Sequence, residues 1–185
     1  VIHGLLKCLN QDGRVVTMRH LKPRIAFPQR GEARGIVVDP HGTPPRSALV
    51  SVAKIFIWLM EEWYATLFQD KKTDLLICDR YYHDLLIDSR RYRYGGPQWM
   101  ARLIGSLMPQ PRLWLLLDAP AEVLQMRKQE VTPEETARQR QAYLSFVQQQ
   151  RNHAVIDASQ ALTKVVADTE KAISATLREI EGKCG

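Results

Sequence analysis

The sequence predicts a single α/β domain on a parallel sheet, and three observations carry that expectation. Leu75 to Cys78 is an apolar run that stops at Asp79-Arg80, and Leu113 to Leu117 stops in the same way at Asp118. Runs that are apolar throughout and end in charge are the pattern of parallel strands buried on both faces. Helical stretches lie between the runs, as right-handed βαβ crossovers require. A length of 185 residues, with 45% apolar and 25% charged residues, suits one domain with a substantial core.

Taken in order, Ile2, Leu5, Leu6 and Leu9 fall at helical spacing, and the turn Gln11-Asp12-Gly13 ends that helix. Arg14 to Met18 reads as a short strand leading to Arg19 and His20. Residues 22–42, with Pro23, Pro28 and Pro40, form a loop-rich excursion. Thr43 is placed to cap a long helix whose first turn accepts Pro44 and Pro45. The apolar stripe of that helix, Leu49, Val52, Phe56, Met60, Trp63 and Leu67, is expected to face the core. After the strand ending at Cys78 comes an arginine- and tyrosine-rich loop through Gly96, then a helix around Trp99 to Leu107. Beyond the strand ending at Leu117, Pro120 opens a short helix reaching Gln129. Thr132, three residues ahead of Glu135, is a capping box for a helix running to Gln150. Ala154 to Ile156 is a fourth strand, ending at Asp157. A last helix buries Leu162, Val165, Val166, Ile173, Leu177 and Ile180 before Gly182 stops it.

A net charge of +6 and a pI near 9.4 call for an anionic partner. The arginines recur singly or in pairs through loops, which favours a small anionic ligand over a duplex. With no aromatic stacking motif and no basic recognition helix, a nucleic-acid-binding module ranks last. Cys8, Cys78 and Cys184 are odd in number and lack metal-ligand spacing, the usage of a reduced, cytoplasmic protein. The longest apolar stretch, Ala48 to Met60, is broken by Ser51 and Lys54 and is too short to span a bilayer, so no membrane partner is expected.

Arg19, Asp79-Arg80, Asp118 and Asp157 fall at four strand ends. One Asp-Arg pair alone is an ordinary salt-bridged strand end. Four such ends on one parallel sheet share an edge, which is where ligands sit in open α/β folds. Arginine presents a planar fork to phosphate oxygens, and aspartate holds a metal or its water. Asp118, just before Pro120, is equally suited to capping a helix, and Asp157 to capping a turn. Met126 to Arg140 joins two helices and carries Arg127, Lys128, Arg138 and Arg140. A charged helix surface is ordinarily solvated, but this grouping suggests a lid that closes cations over a polyphosphate. The five histidines show no zinc spacing, and no Ser-His-Asp or Cys-His arrangement is readable.

In this order the motifs resemble the thymidylate kinase family of P-loop nucleoside-monophosphate kinases. The match comprises the first helix, the strand ending at Arg19, Asp79-Arg80-Tyr81, and Leu116-Leu117-Asp118-Ala119-Pro120 with Glu122 and Arg127. It continues through the arginine-bearing lid to Ile156-Asp157-Ala158-Ser159. The resemblance implies a parallel-sheet, three-layer P-loop kinase fold with helices on both faces and a helical lid over residues 127–140. It also implies ATP- and Mg²⁺-dependent phosphoryl transfer to a nucleoside 5′-monophosphate, usually dTMP. By the same resemblance Asp79 supports Mg²⁺ or the acceptor oxygen, and Arg80, Arg19 and Arg46 hold the acceptor phosphate. Tyr82 and Phe56 would meet the acceptor base, although core packing is the simpler reading of Phe56. Arg127 and Arg138 serve the donor phosphates, and Ala158 and Ser159 lie beside the adenine. Partners are then nucleotides or other small phosphorylated molecules, with a homodimer left open.

Two departures stand out. No G-x-x-x-x-G-K-[ST] occurs in the sequence, so the P-loop and its central strand are expected upstream of Val1. In their absence, the strands at Leu75 and Leu113 would have to pair directly. Residues 39–47 and 90–97 differ from the acceptor region of standard thymidylate kinases. Arg46, Arg80, Arg90, Arg91 and Arg93 still favour an acceptor that already carries phosphate. The competing readings are a kinase of another nucleoside or metabolite, and a non-catalytic nucleotide binder without a P-loop.

Overall fold

A computed structural model describes residues 1–11, 15–20, 44–69, 73–127 and 131–182. The fold is mixed α/β, with two small parallel sheets in place of the one expected. In chain order the elements are α1 (Ile2–Gln11), β1 (Val16–His20), α2 (Ala48–Tyr64) continued by a π-helical turn (Ala65–Gln69), and β2 (Leu75–Asp79). Then come α3 (Asp84–Ile87), α4 (Gln98–Leu107), β3 (Trp114–Asp118), α5 (Ala121–Arg127), α6 (Pro133–Gln148), β4 (His153–Asp157) and α7 (Leu162–Glu181). β1 pairs with β2 and β3 with β4, so the strands at Leu75 and Leu113 belong to different sheets. Among the described residues each strand has one ladder neighbour, and the side chains of β2 are half-buried rather than enclosed.

The chain forms two compact units. Unit 1 comprises residues 1–16 and 111–185. In it β3 and β4 run parallel in the register Trp114↔His153 through Asp118↔Asp157, so both terminal aspartates share one edge. Trp114 meets Phe146 of α6 edge-on at 5.0 Å. α1 packs on α7 closely enough that a Cβ on Gly4 would stand 3.1 Å from Val166. Thr132 accepts the Glu135 amide at 3.3 Å, the first half of the expected capping box. α7 ends at Gly182, whose φ of −68° is right-handed, so this glycine ends the helix without the left-handed turn glycine usually supplies.

Unit 2, residues 17–110, is organised by α2. The helix begins at Ala48, not at Thr43, which lies outside the described residues. Pro45 disfavours helical geometry at Pro44. The backbone here is also engaged outside the helix: the Pro44 carbonyl accepts Arg93 Nε at 3.1 Å, and the Arg46 amide donates to the Arg93 carbonyl at 3.0 Å.

The expected core stripe of α2 is reversed. Leu49, Phe56 and Met60 are 85%, 55% and 56% exposed, and the inward face is Ser51, Ile55, Trp58, Leu59 and Glu62. Two polar bonds fix this rotation. Ser51 Oγ accepts the Gly95 amide at 2.9 Å, and Glu62 accepts Arg19 Nη2 at 2.7 Å. Eleven residues of helix separate Ser51 from Glu62, about three full turns, so both project from one face. Between them Trp58 packs edge-on against Tyr82 at 5.2 Å.

The Arg19–Glu62 pair is nearly enclosed, with side chains 14% and 8% exposed. Removing one partner of such a pair strands a charge and costs about 3–5 kcal/mol, whereas replacing both with apolar groups costs far less. Arg19→Met and Glu62→Leu should each lower the unfolding free energy by that amount in chemical denaturation, and the double variant should recover most of it. Additive losses would show that the pair does not orient α2.

Candidate anion-binding site

Among the described residues only two non-glycine residues have positive φ, and both are arginines of unit 2: Arg80 at 67° and Arg93 at 52°. Left-handed backbone costs a residue with a Cβ roughly 1–2 kcal/mol, and such strain persists where surrounding structure enforces it. At Arg80 the enforcing structure is the tyrosine pair that follows. Tyr81 and Tyr82 are both buried, and their hydroxyls donate to the carbonyls of Pro109 and Ala101. The chain must turn sharply off β2 to put both rings inside, which leaves the Arg80 side chain at the surface, 36% exposed. Its Nη1 lies 3.9 Å from Asp84 Oδ2, and Tyr92 Oη donates to the same oxygen at 3.4 Å. Burial, reinforced by Asp84, raises the Tyr92 phenol well above its ordinary range, so it remains a neutral donor.

The second strained arginine belongs to a clasp between the loop after α3 and the start of α2. A Cβ on Gly95 would lie 2.0 Å from the Arg46 carbonyl oxygen, so only glycine permits this backbone approach. The Gly95–Ser51 and Arg46–Arg93 bonds close the clasp. Its consequence is electrostatic. Lys54 has its ammonium pKa lowered first by burial, then by the positive charges of Arg46 and Arg93. Three cations are thus gathered near the N-terminal end of a 17-residue helix, whose dipole adds to the positive potential. An arrangement that disfavours its own lysine proton is one that a nearby anion would stabilise.

In unit 1 the corresponding cations are engaged with protein groups. Arg140 makes a two-pronged pair with Asp118, both bonds 2.7 Å. Arg138 pairs in the same fashion with Glu135, also at 2.7 Å. Arg127 Nη1 donates to the Ala158 carbonyl at 2.8 Å. Asp157 caps the turn after β4, accepting the Ser159 amide at 2.9 Å and the Ser159 hydroxyl at 2.5 Å, bonds that lower its carboxyl pKa. Of the cations expected in the lid, Arg138 and Arg140 are thus paired with acidic groups along the helix and at the end of β3. Lys128 lies outside the described residues.

Of the residues singled out from sequence, Arg80 and Arg46 take positions in unit 2 suited to anion contact, and Arg127 is joined directly to Ala158 in unit 1, with Ser159 next to it. Arg19 lies within β1 rather than at its end and is committed to Glu62. Tyr82 is fully buried with its hydroxyl satisfied, so it is core and no contact for a base. Phe56 is at the surface. Asp79 closes β2 and is half-buried. Among the described residues no three His, Cys, Asp or Glu side chains gather as a metal site, so an Mg²⁺ at Asp79 would take most of its ligands from phosphate and water. Lys54 was missed because it reads as an interruption of an apolar helix. The available signal was its place in the second turn of α2, close in sequence to Arg46, which stands just ahead of the helix.

No helix among the described residues is long and apolar enough to cross a membrane. No protein-family model and no curated protein sequence matches the chain.

Beside this site His83 is buried against Tyr81 and Tyr82, and burial pulls its imidazole down to about 4 from an ordinary 6.5. With the folded pKa below the unfolded one, the unfolded chain takes up its proton first as pH falls. Stability from neutral His83 is therefore complete above pH 6.5 and is lost towards pH 4, by about 3 kcal/mol. Denaturation curves across this window should show that loss in the wild-type chain and a flatter profile in His83→Gln. Equal slopes would place the imidazole in water. In Gly95→Ala the clasp should fail, lowering the melting temperature and returning the Lys54 pKa towards its ordinary value. An unchanged Lys54 titration by NMR would separate the clasp from the cationic cluster.

Proposed function

We propose that the protein is a nucleotide kinase that binds a phosphorylated acceptor in unit 2 and moves the γ-phosphoryl group of ATP onto it. The acceptor is a nucleoside 5′-monophosphate, dTMP or a related phosphorylated molecule, and the fold would be a three-layer P-loop kinase fold. The single observation that supports this reading is the Arg46–Lys54–Arg93 cluster at the start of α2. Phosphoryl transfer is mostly positioning and charge neutralisation, and a pre-assembled set of cations is what its acceptor side requires. In this reading Arg46 and Arg93 grip the acceptor phosphate, Lys54 neutralises it, and Arg80 faces the group being transferred. Asp79 would hold Mg²⁺, whose charge serves the donor phosphates when bound. In unit 1, Arg127, Ala158 and Ser159 would border the adenine of ATP.

One observation favours a second reading. Arg127, Arg138 and Arg140 are already bonded to protein groups, which suits a protein that holds a phosphorylated ligand without using a donor.

Full-length protein with a panel of nucleoside monophosphates, ATP and Mg²⁺ separates the two. Turnover with one acceptor supports the kinase. Monophosphate binding with no ADP formed supports the binder, and neither activity rejects both. In either case Arg93→Ala and Lys54→Met should each weaken monophosphate binding about 10- to 200-fold, as charge-assisted contacts of roughly 1.5–3 kcal/mol imply. An anion at Lys54 restores its proton affinity. Calorimetry at alkaline pH in buffers of different ionisation enthalpy should therefore record proton uptake on binding, absent in Lys54→Met.

A further inference from the structure

The arginines of unit 1 and Arg80 are held in different ways. Arg138 and Arg140 each close two bonds of 2.7 Å on one carboxylate. Arg80 Nη1 stands 3.9 Å from Asp84 Oδ2, an ion pair longer than a hydrogen bond. With the guanidinium 36% exposed, such a pair adds little to stability. The groups that face Arg80 are nevertheless fixed firmly. Asp84 opens α3, donates its amide to the Tyr81 carbonyl at 3.0 Å, and takes the Asp88 amide on its own carbonyl at 2.8 Å. Asp88 is buried, and its carboxylate accepts the Arg91 amide at 3.1 Å, starting the turn that brings Tyr92 back towards α3. The Tyr92 ring rests against Trp58, 5.8 Å between centroids, in the core of unit 2.

The three side chains close a ring. Tyr92 Oη donates to Asp84 Oδ2 at 3.4 Å, and Arg80 hydrogen-bonds the same phenol. A neutral hydroxyl can accept from one side and donate to the other, which a phenolate cannot, and burial keeps Tyr92 neutral. An arginine on a surface samples many rotamers and loses that freedom when it meets a ligand; one already oriented loses less. Neither Asp84 nor Tyr92 belongs to the motifs that carry the resemblance to thymidylate kinases. Tyr92 lies in residues 90–97, where the chain departs from them. We propose that Asp84 and Tyr92 are positioning residues that together aim the Arg80 guanidinium at the phosphoryl group being transferred. Tyr92 sets the direction of the guanidinium and Asp84 balances its charge. This role rests on the kinase reading of the site.

Tyr92→Phe keeps the ring on Trp58 and removes only the hydroxyl, and Asp84→Asn keeps the shape and removes the charge. With ATP, Mg²⁺ and the monophosphate that the full-length protein turns over, each variant should lower kcat about 10- to 100-fold, the loss that a misplaced group produces. The KM for the acceptor should stay within about threefold, because Arg46, Lys54 and Arg93 still hold it. In an Arg80→Ala background neither change should lower kcat further, since the group they aim is gone. Damage to the fold would lower both backgrounds alike. The orientation itself is read by NMR of the arginine Nε–Hε groups, the Arg80 signal being identified by its loss in Arg80→Ala. That signal should shift and broaden in both Tyr92→Phe and Asp84→Asn. Wild-type protein that turns over no monophosphate rejects the kinase reading and this role with it. Wild-type turnover with losses as large in the Arg80→Ala background, or an Arg80 signal unmoved in both variants, overturns the positioning role alone.

Discussion

The rotation of α2 about its own axis decides most of what unit 2 is. Two polar bonds three turns apart, Gly95 to Ser51 and Arg19 to Glu62, hold one face inward, and a single helix cannot satisfy both in any other orientation. With that face fixed, Ile55, Trp58 and Leu59 become core, and Trp58 supplies the surface on which Tyr82 packs. The opposite stripe, more apolar by composition, is left outside. Hydrophobic burial alone would have chosen the other face. The cost of leaving a buried carboxylate or guanidinium unpaired outweighs the gain from one more apolar side chain.

The same bonds build the cationic cluster. Glycine at position 95 lets two backbones meet at a distance that any side chain would forbid. The loop carrying Arg93 is thereby laid across the start of α2, where Arg46 and Lys54 already stand. Three like charges in partial burial is an unfavourable arrangement in isolation, and the backbone strain at Arg93 adds to it. Folding tolerates both because the clasp and the aromatic core beneath it are strong.

Unit 1 follows a different logic. Its register places Asp118 and Asp157 on one edge, but each aspartate is used at home, one to hold Arg140 and the other to cap a turn. The arginines of the helix pair there are ordered by protein carboxylates and a carbonyl.

The positions of the four strands, the long helices and the Thr132 cap were legible because each is set by local pattern: a run of apolar residues, a period, a capping side chain. The clustering of arginines in the 90–97 loop was legible as charge. The pairing of strands into two sheets was not, since an apolar run says that a strand exists and not which neighbour it takes. Nor was the inward face of α2, because Ser51 and Glu62 read as polar outsiders until Gly95 and Arg19 arrive from 44 and 43 residues away. Lys54 stayed hidden for the same reason. By itself the sequence determined which segments are helices and strands and that the chain carries a net positive charge. Only the tertiary structure decided which cations meet and which apolar face stays outside, because both depend on hydrogen bonds between residues that no local pattern connects.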